Sequence, residues 1–415
     1  MKSRITKITA RWILDSRGNP TVEATMFLAD GTHAKAAVPS GASTGQHEAV
    51  ELRDGGAFFN GMGVKKAVQN IEQEIAPALH GMDACDLMSL DAAMCALDGT
   101  KNKERLGANA ILAVSMAAAR AAAASSGQAL WEFLQEEENF TRTKPPIPFL
   151  NVLNGGAHAG NKLDTQEFML VPQGKDFEEN LRRSAEVYHA LKKILQERNL
   201  STAVGDEGGF APELESDEEA LDCLTEAVEK AGYEPDKDFQ FALDFAASEW
   251  ADQEGHYLQP KSGHIFTTQE LVEYEKKLIE KYPICSLEDP VGEEDWEGWR
   301  MITKECGDLV WLVGDDFFVT DSKRLQRGID EKCANSILIK LNQIGTVTET
   351  LNAIRTAQSN QYHVIVSHRS GETADTFIAD LAVAVGADAL KSGAPCRSER
   401  TEKYNRMMEI LSPQK

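Results

Sequence analysis

Polar and charged residues stand at the ends of short apolar runs throughout the second half of the sequence. They are Asp244 in ALDF, Glu288 in LEDP, Asp315 in VGDD, Lys340 in LIKLN, His368 and Arg369 in VSHR, and Lys391 in LKSG. Their successive spacings are 44, 27, 25, 28 and 23 residues, with His368 taken for the VSHR pair, and each spacing can hold one helix and one strand. Because the carboxyl ends of parallel barrel strands meet on one face, we expect these side chains to line one pocket.

Three of these residues are carboxylates, and three carboxylates facing one cavity repel one another unless a cation lies between them. Oxygen ligands without Cys or His suit a hard ion, Mg²⁺ before Zn²⁺. Taken singly, each acid is better explained as a strand-end cap or a salt-bridge partner. The three together at successive strand ends predict a magnesium site formed by Asp244, Glu288 and Asp315.

Lys340 ends a run, SILI, that is apolar on both faces, as in a buried parallel strand. An exposed lysine with its aliphatic stem on apolar surface is the ordinary alternative. A buried lysine could instead act as a base, but a reference pKa near 10.4 leaves only about 0.04% neutral at pH 7. A nearby Mg²⁺, Lys391 and burial are all expected to lower that pKa.

Two glycine-rich segments supply further polar groups. VPSGASTGQHE (38–48) is a flexible loop with hydroxyl groups, suited to a lid or a phosphate clamp. VGDEGGF (204–210) places Asp206 and Glu207 side by side on a loop. Considered alone, each segment is better explained as an ordinary turn.

The chain is long enough for a small domain followed by a large one. Residues 1–140 mix strand and helix patterns and predict an α+β domain that carries the lid loop 38–48, and TKPPIP (143–148) is typical of a linker. Residues 141–415 alternate apolar runs with helical stretches, which predicts an α/β fold, a TIM-type (β/α)8 barrel. Nine runs compete for eight strands, and TAVGDEGG is the weakest because its glycines suit a loop. A doubly wound sheet is the alternative, but no GxGxxG follows the first strand.

Composition limits the partners and the compartment. A formal net charge of −23, from 43 basic and 66 acidic side chains, disfavours nucleic acid and anionic membranes as main partners. A local cation or metal can still bind an anionic substrate. No apolar run approaches the roughly 20 residues of a membrane helix, and the N-terminus lacks the features of a signal peptide. Seven scattered cysteines without a CxxC pair fit a reduced, cytoplasmic protein.

Ten motifs together resemble the enolase family. They are SRGNPTVE, VPSGASTGQHE, NVLNGGAHAGN, QEFM, VGDEGGFAP, LEDP, VGDDFFVT, KLNQIGT, SHRSGET and KSGAPCRSER, in order from residue 16 to residue 400. Because chance agreement across ten ordered motifs is not credible, the resemblance is highly specific. It implies an α+β N-terminal domain, a modified barrel, and a lyase that dehydrates 2-phospho-D-glycerate reversibly to phosphoenolpyruvate in glycolysis and gluconeogenesis.

The resemblance also implies roles for individual residues. Asp244, Glu288 and Asp315 match the ligands of a first Mg²⁺. Ser43 in SGAS matches a lid serine that joins a second Mg²⁺, which binds with the substrate. Lys340 matches the base that removes the proton from C2 of the substrate.

The remaining matches concern the leaving hydroxyl and the substrate. Glu207 in GDEGG matches the acid that helps the C3 hydroxyl leave, with Glu167 of QEFM beside it. Substrate contacts are implied for His158, Gln166, His368, Arg369, Ser370 and Lys391. Arg369 and Ser370 match the phosphate side and Lys391 the carboxylate side. The implied partners are a small phosphorylated carboxylate and a second copy of the chain in a homodimer, or several copies in an octamer.

The sequence departs from the family pattern in a few places. Ala374 stands where an acid is expected, residues 56–64 (GAFFNGMGV) are shorter and less basic than expected, and GNK (160–162) and Ser392 also differ. These departures affect the expected subunit contacts and lid surroundings, not the proposed ligands, base or acid.

Two other functions are alternatives. The first is a different proton-abstracting lyase or racemase, which SHRS and SGAS disfavour. The second is a catalytically silent scaffold protein, which the intact acid, base and metal set disfavours.

Overall fold

The computed structural model describes residues 3–42, 45–138, 140, 144–252 and 255–412. Its strands are β1 (Ile5–Leu14), β2 (Pro20–Leu28), β3 (His33–Ala37), β4 (Ile147–Asn154), β5 (Glu167–Pro172), β6 (Phe239–Asp244), β7 (His256–Leu258), β8 (Ile265–Thr267), β9 (Ile284–Glu288), β10 (Trp311–Gly314), β11 (Ser336–Ile339), β12 (His363–Ser367) and β13 (Ala389–Lys391). Its α helices are α1 (Lys65–Asn70), α2 (Ala76–Leu79), α3 (Leu87–Asp98), α4 (Ala108–Ser126), α5 (Leu130–Glu138), α6 (Phe177–Glu197), α7 (Asp217–Lys230), α8 (Thr268–Lys281), α9 (Trp296–Cys306), α10 (Ser322–Glu331), α11 (Leu341–Ile344), α12 (Val347–Ser359), α13 (Phe377–Ala384) and α14 (Ser398–Leu411).

The N-terminal strands β1, β2 and β3 form an antiparallel sheet in that order. The SRGNP segment between β1 and β2 is a turn, as predicted. The Asp15 carboxylate accepts hydrogen bonds from the backbone N–H groups of Arg17 at 2.9 Å and Asn19 at 2.8 Å. Gly18 has a φ of 78°, which glycine adopts without the steric cost that other residues incur. Helix α4 packs across β2 and β3.

Helix α4 is the alanine-rich segment for which the sequence predicts a buried helix. Among the described residues it also has the length and composition of a membrane span, with a mean hydropathy of 1.3 over its most apolar window. Asn109, Ser115 and Arg120 interrupt its apolar residues, so it contains no continuous apolar run of the roughly 20 residues that a membrane helix needs. Because 83% of that window is buried inside the protein, α4 is explained as a core helix.

Eight strands close into a barrel in the order β10, β11, β12, β13, β4, β5, β6, β9. The predicted TIM-type barrel is confirmed, and eight of the nine apolar runs form its strands. The ninth, TAVGDEGG, is a loop, as its glycines indicated. The Gly205 N–H donates to the carbonyl of Gly209 at 2.8 Å, and the Gly208 N–H donates to the carbonyl of Gly205 at 3.1 Å.

Strand β5 runs antiparallel to both of its neighbours, β4 and β6. The alternating pattern of runs and helices predicted a parallel sheet, and this prediction is wrong for β5. The cause is the connection from β4, because residues 155–166 contain a short 3₁₀ turn at Gly156–His158 and no crossover helix. A parallel return needs a crossover of a dozen or more residues, usually helical. The first residue of β5, not its last, therefore lies at the carboxyl end of the barrel.

The barrel is a packed core and not a pore. Inward-facing side chains form an apolar cluster that fills it: Phe149, Met169, Val171, Ala242, Val313, Leu338, Ile365 and Ala389. The alternate side chains of the strands point outward, into a larger apolar cluster shared with the helices and the N-terminal sheet. The acidic and basic side chains on the barrel strands lie at the strand ends.

Polar caps determine where the outer helices begin. Asp176, Ser216 and Thr346 cap α6, α7 and α12, each accepting a hydrogen bond from a backbone N–H in the first turn. Thr267 and Glu270 form a reciprocal capping box at α8. A cap of this kind typically stabilises a helix by about 1 kcal/mol. Each cap sets the first residue of its helix, and so it limits the length of the loop between that helix and the preceding strand.

One buried carboxyl group lies away from the barrel end. Glu275 on α8 is fully buried, and among the described residues neither of its oxygens has a hydrogen-bond partner. Burial raises the pKa of Glu275 well above its usual value. The titratable groups that sense its charge are Tyr257, Tyr274 and Cys306. The folded protein therefore favours the protonated form of Glu275.

Replacing Glu275 by methionine is expected to stabilise the protein at pH 8. The folded pKa of Glu275 is raised, so its contribution to stability is fully present below the unfolded pKa of about 4.3 and is lost as pH rises toward the folded pKa. An unpartnered buried polar group costs about 1–3 kcal/mol, and we expect a gain of at least that size. Urea unfolding at pH 5 and pH 8 measures the free energy of unfolding.

The matched control is Glu280→Met, which changes an exposed glutamate of the same helix and should leave the pH dependence of stability unaltered. If wild type and Glu275→Met lose the same free energy of unfolding between the two pH values, Glu275 is not protonated in the folded protein.

Candidate active site

The residues singled out in the sequence converge at one end of the barrel. Asp244, Glu288 and Lys391 end β6, β9 and β13, whereas Asp315, Lys340 and His368 directly follow β10, β11 and β12. A single cavity there is lined by His158, Gln166, Glu167, Glu207, Asp244, Asp315, Lys340, His368, Arg369, Ser370 and Lys391. Glu288 does not line the cavity but pairs with Lys391, which does. Ser43 lies outside the described residues.

Lys391 is the centre of the charged cluster. Its Nζ lies 2.8 Å and 2.9 Å from the two oxygens of Glu288, 2.9 Å from Glu167 and 3.6 Å from Asp244. Burial favours the neutral amine, but these carboxylates outweigh it and raise the pKa of Lys391 well above its usual value. Lys391 is therefore charged at neutral pH, and one positive charge faces three buried acids.

The predicted metal ligands fit a hard cation. Asp244 and Glu288 are directly opposed on β6 and β9, and Asp315 follows β10, which pairs with β9. Burial, reinforced by Asp244, raises the pKa of Glu288 well above its usual value. Buried carboxylates are costly unless cations compensate them, and Lys391 supplies only one charge. An all-oxygen ligand set that lacks positive charge suits Mg²⁺.

Two acids beside the predicted ligands were missed in the sequence. The carboxylate of Asp289 accepts hydrogen bonds from the backbone N–H groups of Asp315 at 2.9 Å and Asp316 at 2.8 Å, so it fixes the turn that presents Asp315. Ligand oxygens of Asp289, Asp315 and Asp316 lie within 4.8 Å of one another, so these acids could also hold a metal ion. Burial, with Asp315 nearby, raises the pKa of Asp316 to about 8. The doubled acids in LEDP and VGDD were the available signal.

The predicted base, Lys340, contacts one of the predicted metal ligands. Its Nζ donates to Oδ2 of Asp315, and Gln343 Nε2 donates to Oδ1 of Asp315 at 2.8 Å. Burial favours the neutral amine of Lys340, but the charge of Asp315 outweighs it and raises the pKa of Lys340. The lowered pKa predicted for Lys340 from its burial and its neighbours is therefore wrong. The direct contact between Lys340 and the Asp315 carboxylate causes this difference, and strand-end spacing cannot predict such a contact.

Glu167 and Glu207 form an acid pair. His158 Nδ1 lies 3.6 Å from Glu167 Oε1 and 3.9 Å from Glu207 Oε1, and Asn151 Nδ2 donates to Glu207 Oε2 at 2.9 Å. Burial, reinforced by Glu207, raises the pKa of Glu167 well above its usual value. For Glu207, burial is outweighed by His368 and His158, and the pKa is lowered. Neighbouring carboxyl groups with pKa values pushed apart are typical of acid–base sites.

Arg369 and Ser370 bring a cation and a hydroxyl group to the same cavity. The guanidinium of Arg369 donates to both carboxylate oxygens of Glu48, at 3.0 Å and 3.1 Å, and to Asn342 Oδ1 at 3.0 Å. Ser370 Oγ donates to Glu207 Oε1 at 3.3 Å. Gln166, the residue before β5, donates from Nε2 to Asp244 Oδ2 at 3.2 Å. The reversal of β5 thus places Gln166 and Glu167 beside the acids of the parallel strands.

The described part of the segment 38–48 is docked on the barrel through three consecutive residues. The Gln46 N–H donates to Glu293 Oε2 at 3.2 Å, His47 Nε2 lies 2.7 Å from Glu294 Oε1, and Glu48 pairs with Arg369. The segment therefore lies over the carboxyl end of the strands, where a lid has to lie.

A second cavity lies elsewhere in the described structure. About 710 Å³ in volume, it is bounded by β3, α4 and α14 and contains Ala374 in its wall. None of the predicted catalytic, metal-binding or substrate-binding residues lines it. The departure at Ala374 therefore lies outside the candidate active site.

Two family models match the chain. The model described as "Enolase, N-terminal domain" matches residues 5–134, and the model described as "Enolase, C-terminal TIM barrel domain" matches residues 143–413. The second alone matches more than half of the chain, and it includes every predicted site residue except Ser43.

Mg²⁺ is expected to stabilise the wild-type protein against heat, and the substitution Asp315→Asn should reduce that stabilisation by more than half. A ligand at 100 times its Kd stabilises a folded protein by about 2.7 kcal/mol, and the loss of one anionic ligand weakens binding. Thermal unfolding in increasing MgCl2 measures the shift.

Asp308→Asn is the control, because Asp308 is an exposed aspartate just before β10, at the opposite end of that strand from Asp315. Equal Mg²⁺-induced shifts in Asp315→Asn and wild type would show that Asp315 is not a ligand.

Proposed function

The chain belongs to the enolase family, and on that basis we propose that it converts 2-phospho-D-glycerate reversibly to phosphoenolpyruvate and water. One observation supports the proposal most. A lysine, Lys340, and an acid pair, Glu167 and Glu207, line the same cavity as Arg369, a cation whose planar fork suits a phosphate. Elimination of water needs a base and an acid in one pocket, and this cavity contains both.

Removal of the C2 proton is the difficult step, because a hydrogen next to a carboxylate is very weakly acidic. Its loss leaves a dianionic, enolate-like species. We assign Lys340 as the base that accepts this proton. Its contact with Asp315 raises its pKa, and a Mg²⁺ ion held by Asp315 would oppose that effect and favour the neutral amine. Lys391, charged and only 2% exposed, supplies fixed positive charge on the carboxylate side of the substrate, where such charge is most effective.

Asp244, Glu288 and Asp315 would hold the first Mg²⁺ ion of the reaction, and Ser43 would join the second. When bound, these ions act as Lewis acids on the substrate carboxylate and stabilise its developing charge. A lysine base combined with one or two Mg²⁺ ions is the known pattern of this superfamily. Gln166 restrains Asp244 through its side-chain amide.

The acid pair would deliver a proton to the hydroxyl group that leaves C3. The raised pKa of Glu167 and the lowered pKa of Glu207 support one shared proton between them at neutral pH. We assign Glu207 as the member that faces the hydroxyl and protonates it. Glu167 is the member that carries the shared proton before this step. His158 contacts both carboxylates and orients them.

The phosphate would be bound by Arg369 and Ser370. Arg369 is paired with Glu48 of the segment 38–48, so phosphate binding would compete with that ion pair and couple the substrate to the segment. His368, between β12 and Arg369, completes this side of the site. A substrate without a phosphate would leave the ion pair between Arg369 and Glu48 in place.

We further propose that the protein acts in the cytoplasm as a homodimer, with an octamer as the larger assembly that the family resemblance allows. Exposed apolar side chains on the N-terminal domain support an interface there. Trp12 is 51%, Leu14 55% and Phe58 70% exposed, and Phe59 packs edge-on against both Trp12 and Phe58.

The assignments of base and acid can be separated with two variants. Lys340→Ala should lose exchange of the C2 proton with deuterated water, because no other assigned group accepts it. Glu207→Gln keeps size and hydrogen bonding but cannot deliver a proton. It should block phosphoenolpyruvate formation, by about 10²–10⁴-fold as for other general acids, while C2 exchange continues. Deuterium incorporation and product formation are measured in the same sample.

A control for folding is Glu215→Gln, which changes an exposed glutamate paired with Lys162 and should leave both steps intact. Normal exchange in Lys340→Ala identifies another base. Continued product formation in Glu207→Gln shows that Glu207 is not the acid.

A further inference from the structure

Arg400, the third residue of α14, is fully buried beside the acid pair. Each of its four terminal N–H groups has an acceptor. One terminal nitrogen donates to His368 Nδ1 at 2.5 Å and to the carbonyl of Arg369 at 2.6 Å. The other donates to the carbonyls of Asp206 at 3.0 Å and Ser370 at 2.7 Å. A single guanidinium therefore joins the loop that carries Glu207 to the loop after β12.

This contact determines which nitrogen of His368 carries a proton. A guanidinium is always charged and has no acceptor, so Nδ1 of His368 has to be the unprotonated nitrogen. The neutral ring then carries its proton on Nε2. That nitrogen lies 3.4 Å from Oε2 of Glu207, so His368 presents an N–H group, and not a lone pair, to Glu207.

Close packing leaves these three side chains little freedom to rearrange. Gly393 has a φ of 73°, and a Cβ atom there would lie 3.1 Å from Cδ of Arg400, 3.2 Å from Cε1 of His368 and 2.5 Å from the carbonyl oxygen of Glu207. Tyr404, one turn after Arg400, donates to the carbonyl of Gly393 at 2.6 Å. The segment after β13 thus packs closely against Arg400, His368 and the backbone of Glu207.

The charged groups around His368 come from four elements. The groups that shift its pKa are Glu207 on the glycine-rich loop, Arg400 on α14 and Lys391 on β13, and Arg369 follows it in the chain. Burial, together with the positive charge of Arg400 and Lys391, lowers the pKa of His368 to about 4 despite Glu207. The ring is therefore neutral at pH 7.

We propose that Arg400 is a positioning residue, which locks His368 as the Nε2–H tautomer so that the N–H group of the histidine faces the Glu207 carboxylate, 3.4 Å away. Arg400 does not line the cavity, so it would act on the acid pair through His368. The importance of this effect for turnover rests on the proposed function, whereas the tautomer of His368 does not. Lysine cannot replace Arg400, because an ammonium group has three donors and lacks the planar fork that reaches four acceptors.

The test uses ¹⁵N-histidine labelling of the full-length protein and NMR of its nine histidines. The signals of His368 are identified by their loss in His368→Gln. Wild type should show the Nε2–H tautomer, unchanged from pH 8 to pH 5. Arg400→Lys and Arg400→Met should show mixed tautomers and a His368 that protonates nearer its ordinary pKa of about 6.5.

Kinetics give the second measurement. In both Arg400 variants, kcat should fall by about tenfold to a hundredfold, at or below the usual contribution of a positioned acid, while KM changes little. The pH profile of kcat should show a new inflection between pH 5 and pH 7. Arg406→Lys is the control, since Arg406 lies on the same helix but pairs with Asp380; it should leave the His368 tautomer and the pH profile unchanged.

The outcomes separate the two proposals. An Nδ1–H tautomer of His368 in wild type overturns the role of Arg400, even if both Arg400 variants fail to fold. A normal pH profile in a folded Arg400 variant that still turns over substrate also overturns it. The Nε2–H tautomer in a protein that does not dehydrate 2-phospho-D-glycerate supports the role of Arg400 in fixing His368 and rejects the proposed function.

Discussion

The burial of like charges at one end of the barrel is the constraint on which the rest of the site depends. Glu167, Asp244 and Glu288 all lie within 3.6 Å of the amine of Lys391, and one amine cannot compensate three carboxylates in a low-dielectric site. The other acids of the site are compensated in two ways. Glu207 shares a proton with Glu167, and Asp315 pairs with Lys340. A divalent cation satisfies the same constraint, and this links the geometry of the barrel end to the metal dependence of the family.

The barrel achieves this concentration of acids through an irregular strand. Because β5 is reversed, its first residue, Glu167, is opposed to Asp244 at the end of β6 and to Asn154 at the end of β4. A regular parallel strand would have placed Glu167 at the far end of the barrel. The acid pair therefore exists because one connection lacks a crossover helix. Arg400 then ties this pair to the loop after β12, so the acid side of the site is held by α14 and not by the strands alone.

Much of this arrangement could be predicted from sequence because it depends on periodicity. Strand-end spacing predicted the barrel and the convergence of Asp244, Asp315 and Lys340, since parallel strands end on one face whatever their loops do. Spacing could not predict the direction of β5, which depends on a connection, or the raised pKa of Lys340, which depends on one side-chain contact. The hydrogen bonds from backbone N–H groups to Asp289 were likewise invisible, because every residue except proline carries the same donor. Ser43 lies outside the described residues, so its assignment stays a prediction.

The most direct test of the central claim is the fate of 2-phospho-D-glycerate with the wild-type protein, followed by phosphorus and proton NMR. We expect conversion to an equilibrium mixture with phosphoenolpyruvate, approached from either side. Chelation with EDTA should stop it, and added Mg²⁺ should restore it. D-Glycerate, which lacks the phosphate that Arg369 and Ser370 are proposed to bind, should not be dehydrated. Absence of phosphoenolpyruvate under these conditions, or conversion that EDTA does not affect, would contradict the account; dehydration of D-glycerate at a similar rate would point to a different proton-abstracting lyase.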